Sequence, residues 1–441
     1  MTDIMTLHSP RAWKLFRLGQ LFREVKEKGS DKEFPPLSVT MRGIVPQLET
    51  AAKSDDGDNR KVVRVGNYVI NSRSDRKGSG GISEFDGSVS LISIVLEPRN
   101  VHRRYVHHLL RSPAFQEEFY RWGHGIVADL WTTRYSDMKN IRLRIPDLHT
   151  QRAIADFLDR ETARIDLLIE KKQRLVELLG EKRSAVITSA VTGDAQGRDR
   201  LAVEGGGGVK QIFLNSNNDV RRRKIIGRSN VGPIGVSLAE KAPKEWCVTT
   251  LQRLFTVSSG DFLSPDQLKD DGFPVFGGNG LRGFFSDTNC PENTMLIGRY
   301  GALCGNVHLP NERVWATEHA FRVRPLMKYH QSYIARYVET LEMRHLAARA
   351  AQPGLNSRMV REQAIALPDL PTQRAIADFL DRETARIDHI RDKTRVSIDR
   401  LREYRSSLIT AVVTGQIDVT KWVKAGTAER RLDAVQATVS T

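Results

Sequence analysis

The apolar positions of this chain fall into two patterns, and each pattern occurs twice. In residues 10–146, and again in 246–368, short β-branched runs alternate with glycine-containing turns. Lys61–Val65, Tyr68–Ile70, Val89–Leu96, Thr294–Ile297 and Phe321–Arg324 are predicted strands on that ground. Each region then carries a helix-like stretch, Val101–Trp122 and Tyr329–Ala351. The second pattern is a heptad-like seam. Leu158, Ile165, Leu168, Leu175, Leu179 and Val186 form one copy, and Leu380, Ile387, Ile390, Leu401 and Leu408 the other, with Lys172, Thr394 and Ser397 as interruptions. Thr150 and Thr372 are predicted N-caps, and Gly193 and Gly415 predicted stops. A helix of roughly 40 residues spans about 60 Å, and a polar helix of that length needs something to pack against.

The two seams belong to an internal repeat. Residues 146–166 and 368–388 differ only at His149 against Pro371. The offset of 222 persists without a gap to Arg183-Ser184 against Arg405-Ser406, and to Val191-Thr192-Gly193 against Val413-Thr414-Gly415. One rigid element used twice in a chain predicts two long helices packed as an antiparallel coiled coil; two separate helical hairpins are the alternative. The expected class is α+β, two mixed α/β domains separated by the helices in a pseudo-two-fold arrangement. The expected boundaries are 1–146, helix 147–193, linker 194–245, 246–368, helix 369–415 and tail 416–441. The linker holds four consecutive glycines from Gly205 and the basic run Arg221–Lys224.

Charge adds a direction. The chain carries a formal +15 over 441 residues. By the boundaries above the segments carry +7, 0, +4, +2, +1 and +1. The excess therefore lies in the first mixed region and the linker, and the helices are near neutral. A basic excess points to a polyanion, most simply nucleic acid. No run of 18 apolar residues predicts a membrane span, and the polar start, Met1–Ser30, lacks the apolar core of a signal peptide. Three cysteines, Cys247, Cys290 and Cys304, exclude a disulfide scaffold and fit a reducing, cytoplasmic setting.

No catalytic constellation emerges. The phosphate-cradling G-x-x-x-x-G-K-[ST] loop is absent, as is the Asn/Asp-Pro-Pro-aromatic signature of amino-methyltransferases. The glycines at Gly78–Gly81 and Gly277–Gly280 do not open a βαβ unit. Cys290, Cys304 and His308 lack a fourth ligand and a CxxC pair, so no metal is expected.

The repeated motif, Pro146-Asp147-Leu148…Gln151…Ile154…Leu158-Asp159 and Pro368-Asp369-Leu370…Gln373…Ile376…Leu380-Asp381, each copy after a variable region, resembles the specificity subunit of type I restriction–modification enzymes. Phe276–Gly280, Arg299–Gly305, Leu37–Thr40 and Asp86–Ser90 add to the likeness, which covers roughly residues 10 to 415; the long linker departs from it. The resemblance implies a non-catalytic, DNA-binding scaffold. Each target-recognition domain would read one half of a bipartite site on double-stranded DNA. The helices would space the domains and dock two methyltransferase subunits, which motor/nuclease restriction subunits join. S-adenosylmethionine, ATP and Mg²⁺ would belong to those partners, with no cofactor on this chain. A self-contained DNA-cleaving or DNA-modifying enzyme with a coiled-coil hinge, or a coiled-coil adaptor, are the alternatives.

Base readout needs side chains that hydrogen-bond base edges, and phosphate contacts need cations. Arg73, Lys77, Arg134, Asn279, Arg282, Arg299 and Arg358 are the expected DNA contacts, from loops rich in both. Arg152, Asp156, Arg160 and Arg164, with their repeats Arg374, Asp378, Arg382 and Arg386, are the expected partner contacts. A seam does not require identity at such outward positions, whereas one partner bound twice would; recent duplication is the other explanation. With major-groove readers about one turn apart, half-sites of about three to five base pairs and a gap of about five to eight are expected.

Overall fold

A computed structural model describes residues 9–47, 57–125, 131–193, 238–243, 245–347 and 354–422. The expected linker, apart from 238–243 and Glu245, and the tail beyond residue 422 lie outside the described residues. The chain divides into two compact units that are not consecutive in sequence. Unit 1 takes residues up to Gln173 and those from Arg395 on, and unit 2 takes Arg174–Thr394.

Unit 1 contains β1 (Lys14–Arg17), β2 (Phe22–Glu24), β3 (Lys28–Gly29), β4 (Leu37–Thr40), β5 (Gly43–Pro46), β6 (Arg60–Val63), β7 (Tyr68–Asn71), β8 (Gly80–Ile82), β9 (Gly87–Val89), β10 (Ser93–Pro98) and β11 (Arg142–Ile145). Its helices are α1 (Leu18–Leu21), α2 (Arg103–Arg111), α3 (Pro113–Arg121) and α4 (Tyr135–Met138), followed by the first half of α5 (Leu148–Thr192); the residues from Arg395 on add the second half of the other long helix and a short one, Val419–Trp422. The central sheet has the order β2-β10-β7-β8, and β1 pairs with β11 to close the mixed region just before α5.

Unit 2 begins with the second half of α5 and repeats this plan. It contains β12 (Cys247–Thr250), β13 (Phe255–Ser259), β14 (Phe273–Gly277), β15 (Gly280–Phe285), β16 (Leu296–Gly298), β17 (Val307–His308), β18 (Trp315–Ala316), β19 (Ala320–Pro325) and β20 (Ala364–Leu367). Its other helices are α6 (Gln331–Thr340), α7 (Ser357–Arg361) and the first half of α8 (Leu370–Val413). Strands β12 and β20 close the region as β1 and β11 do, and the sheet β13-β19-β16-β17 stands where β2-β10-β7-β8 stood. The register matches as well: Pro98 lies opposite Phe22, and Pro325 opposite Phe255.

Three predicted elements are divided. In Tyr329–Ala351, α6 ends at Thr340 and a 3-10 turn, Met343–Leu346, follows the left-handed Glu342 (φ 43°); residues 348–351 lie outside the described residues. Val89–Leu96 is not one strand. Ser93 N–H bonds the Ser90 carbonyl at 3.0 Å in a turn, which leaves Leu91 and Ile92 exposed and sends β9 and β10 to different sheets. Val101–Trp122 is two helices. Pro113 cannot continue α2, and Ser112 instead caps α3 by accepting from Phe115 N–H at 3.3 Å.

The long helices run 45 and 44 residues. Their N-caps are Asp147 and Asp369, not Thr150 and Thr372. Each carboxylate accepts the backbone N–H of the threonine three residues on, at 3.0 and 2.9 Å. A carboxylate also complements the positive end of a helix, and the Thr150 backbone and hydroxyl bonds hold Asp147 below the usual carboxylate range. The stops fall at Gly193 and Gly415, both left-handed (φ 63° and 77°). A Cβ there would stand 2.6 Å from Pro243 and 2.5 Å from Pro10 respectively.

In unit 1, Ile154, Leu158 and Ile165 of α5 share a core with Leu408, Ile409 and Val412 of α8. In unit 2, Ile187, Ala190 and Val191 of α5 share one with Ile376, Ala377 and Leu380 of α8. The segments run antiparallel: early α5 meets late α8, and late α5 meets early α8. Asp166 pairs with Arg405 at 2.8 Å in unit 1, and the repeat-equivalent Asp388 pairs with Arg183 at 3.2 Å in unit 2. The seam departs from the predicted one in the middle. Leu175 and Ile390 are 42% and 39% exposed, while Thr394, read as an interruption, is buried. Its hydroxyl donates to the Ile390 carbonyl one turn back, at 2.7 Å, which removes the cost of burying it. Thr162 and Thr384 do the same toward Leu158 and Leu380.

Candidate nucleic-acid interface

In unit 1 two of the loops singled out in the sequence meet. The β7–β8 connection starts with the Asn71 side chain accepting Arg73 N–H at 3.0 Å, then makes a single 3-10 turn, Ser74–Arg76. Ser74 N–H bonds the Trp131 carbonyl at 2.9 Å, and Thr133 N–H bonds the Ser72 carbonyl at 3.0 Å. The second loop is anchored from below by the buried Thr133, whose hydroxyl donates to the Phe119 carbonyl at 2.9 Å. Arg73 and Arg134 are exposed, and neither has a carboxylate partner among the described residues. Lys77 is already engaged: its ammonium pairs with Glu117 and lies 5.8 Å from the centre of the Tyr120 ring. Trp131, not one of the sequence-predicted contacts, is 39% exposed, on the segment whose carbonyl accepts the Ser74 N–H next to Arg73.

In unit 2 all four candidates sit on segments that touch. The β14–β15 hairpin turns at Gly278-Asn279, with Asn279 exposed. A Cβ on Gly278 would stand 2.5 Å from the Tyr300 carbonyl, so the turn packs directly on the segment that carries Arg299. Leu355 N–H bonds the Arg299 carbonyl at 2.9 Å, and Asn356 then caps α7, which carries Arg358. Arg282 is exposed on β15. The arginines differ in freedom. Arg358 is exposed but donates to Glu362 at 2.7 Å. Arg299 is held inward: it donates to Ser259 Oγ at 3.0 Å and stacks 4.6 and 5.3 Å from the Tyr300 and Phe321 ring centres. It supports the hairpin as much as it faces outward. Burial pushes the Cys290 thiol beneath this region up to about 11, so it stays protonated at neutral pH.

The repeated outward residues of the long helices have unlike surroundings. In the first copy Asp156 binds Arg104 at 2.6 Å, and Arg160 and Arg164 lean on Glu161 at 3.2 and 3.6 Å. Arg152 is exposed. In the second copy Arg374, Asp378, Arg382 and Arg386 are all exposed, with no ion pair among the described residues. Among those residues no helix is long and apolar enough to cross a membrane.

Residues 243–398 match the family described as Type I restriction modification DNA specificity domain. The chain is 30% identical over 152 residues to the EcoprrI type I restriction enzyme specificity subunit of Escherichia coli, covering 33% of this chain and 38% of that one. The match thus spans well under half of that relative's length. A solved chain of a type I R-M system, from work on its assembly and conformational transition, is 15% identical with a TM-score of 0.61, covering 93% of this chain and 99% of that one. The S subunit from M. genitalium and the HsdS subunit from Thermoanaerobacter tengcongensis are each 16% identical over 93% of this chain and 99% and 98% of theirs, with TM-scores of 0.43 and 0.45. The family match takes in the second mixed region and the first part of α8, and the fold likeness covers nearly the whole chain.

Proposed function

We propose that this chain is a type I restriction–modification specificity subunit and reads a bipartite site on double-stranded DNA, one half through each unit. It catalyses nothing itself. Two methyltransferase subunits dock on the long helices, motor/nuclease restriction subunits join that core, and S-adenosylmethionine, ATP and Mg²⁺ are bound by those partners. The observation that carries this reading is the duplication of one plan. Each unit sets loops with exposed arginines, and in unit 2 also Asn279, beside its own pair of antiparallel helix segments. Two similar readers on a common scaffold suit a site with two halves.

The test is co-expression of the full chain with the methyltransferase encoded beside it, followed by mapping of methylated adenines. The expected result is a two-part motif. Exchanging Arg73 and Arg134 for alanine relaxes one half only, each base-reading contact costing about 1–3 kcal/mol. Methylation or cleavage by the purified chain alone, or an undivided motif, overturns the proposal.

A further inference from the structure

Beside the Arg134 loop, unit 1 has an open cleft of about 470 Å³, and four of its lining side chains are Arg23, Lys26, Arg99 and Lys139. Glu24 is the one carboxylate among the lining residues. The four cations are far apart in sequence and are gathered by the fold. Strand β2 brings Arg23 and, just past its end, Lys26; Arg99 follows β10 and is pinned by its N–H to the Leu21 carbonyl at 2.8 Å. Helix α4 brings Lys139, and its Tyr135 hydroxyl ties the helix to the β2 backbone by donating to the Phe22 carbonyl at 2.9 Å. Arg23 is engaged by Glu97 at 2.6 Å and Lys26 by Glu24 at 3.5 Å. Arg99 and Lys139 are exposed and have no ion pair among the described residues.

Unit 2 lacks the strand-borne part of this charge. The shared register sets Thr256 where β2 has Arg23 and Val257 where it has Glu24, and Ser259 follows where Lys26 stood. Leu326 takes the place of Arg99, its N–H bonding the Leu254 carbonyl at 2.8 Å just as Arg99 bonds Leu21. The paired strands are preserved and the three strand-borne cations are not, while the place of Lys139 stays basic as Arg361, 222 residues on. The charge on the strand side of the cleft, Arg99 included, is therefore particular to unit 1 and not a by-product of the fold.

We propose that this cleft takes backbone phosphates of the DNA beside the half-site read by unit 1, with Arg99 and Lys139 as the contacting cations. The inference rests on the DNA-reading function above. Phosphate contacts fix position without reading sequence, so their loss weakens binding to all duplexes alike. It also flattens the salt dependence, by about 0.9 in the log–log slope for each phosphate released.

The experiment measures binding of the full chain to a labelled duplex by fluorescence anisotropy between about 50 and 200 mM salt, a range in which a multi-phosphate binder changes steeply. Arg99→Gln with Lys139→Gln should lower the slope by about 1.8 and leave the methylated motif of the co-expressed complex unchanged. Arg400→Gln with Arg402→Gln, exposed on α8, is the charge-matched control and should leave the slope where it was. An unchanged slope in the cleft variant, or an equal fall in the control, overturns the cleft while leaving the functional reading intact. A wild-type chain that binds no duplex overturns both. A thermal melt confirms that the variants remain folded; should the double variant unfold, Lys139→Gln alone is expected to lower the slope by about 0.9, and an unchanged slope overturns the proposal.

Discussion

Gln151 offers a direct test of how each mixed region is fastened to its long helix. The side chain is 2% exposed and bridges two backbone groups: Nε2 donates to the Pro146 carbonyl at 2.8 Å, and Oε1 accepts the His102 N–H at 2.8 Å. Gln373 makes the same bridge in unit 2, to Pro368 at 2.8 Å and His330 at 2.9 Å. Gln151→Leu keeps nearly the same volume and removes both partners. Each backbone group left without a bond costs about 1–3 kcal/mol. His102 is only half-buried and water offsets part of its loss, so the sum is about 2–4 kcal/mol. In a unit of this size each kcal/mol lowers the unfolding midpoint by about 2–4 °C, so the unit 1 transition should fall by roughly 5–15 °C. Hydrogen exchange followed by mass spectrometry localises the effect. The peptide containing the His102 amide should lose protection and the one containing His330 should not, and Gln373→Leu should give the mirror image. A melt within about 1 °C of wild type, or equal loss of protection in both units, refutes the bridge as a fastening.

Two further outcomes follow from the packing. Exchanging the charges of one cross-helix pair, Asp166→Arg with Arg405→Asp, should recover most of the loss seen with either substitution alone; the coupling for a partly exposed pair is about 0.5–1 kcal/mol by double-mutant cycle, and zero coupling contradicts the antiparallel register. Burial, and the Arg111 guanidinium donating to Nε2 at 2.8 Å, hold the His107 pKa down at about 3. The unfolded chain takes up that proton near pH 6.5, so the stability it confers is complete above that pH and is lost toward pH 3, at up to about 1.4 kcal/mol per unit. Denaturant midpoints between pH 7.5 and 5 should fall less steeply for His107→Gln, and parallel curves contradict the assignment.

Elements set by local pattern were legible in the sequence, and those set by long-range contact were not. The 222-residue repeat announced the long helices, and the glycines at 193 and 415 marked their ends. The caps were misplaced because Asp and Thr three residues apart are both good N-caps, and only the structure shows which carboxylate bonds which N–H. Val89–Leu96 looked continuous because both of its halves are apolar; the Ser90 turn between them carries no strong breaker. Seam reading by hydrophobicity selected Leu175 over Thr394, since a threonine satisfied by its own helix backbone is indistinguishable in sequence from an exposed one. The meeting of the Arg73 and Arg134 loops, and the gathering of Arg23, Arg99 and Lys139, depend on strand register, which no single segment encodes.

Identity between the two copies of the repeat has two separable causes. Gln151 and Gln373, Thr162 and Thr384, Asp147 and Asp369, and Asp166 and Asp388 make the same bond in both units, so folding alone accounts for them. Folding does not account for Arg160 and Arg382. The first leans on Glu161 and stands 5.9 Å from the Phe157 ring centre, while the second is exposed with no ion pair among the described residues. Recent duplication or a partner bound twice remains as the source of their identity, and the two make opposite predictions. In the proposed assembly, Arg160→Glu with Arg382→Glu replaces attraction by repulsion at both docking sites. At about 1–2 kcal/mol per site, this weakens each by roughly 5–30-fold. Both positions are exposed, so the melting temperature should stay within about 2 °C of wild type. Mass measurement of the complex at nanomolar concentration should show loss of both methyltransferases from the double variant and of one from each single variant. Undiminished assembly leaves duplication as the explanation and moves the docking surface elsewhere.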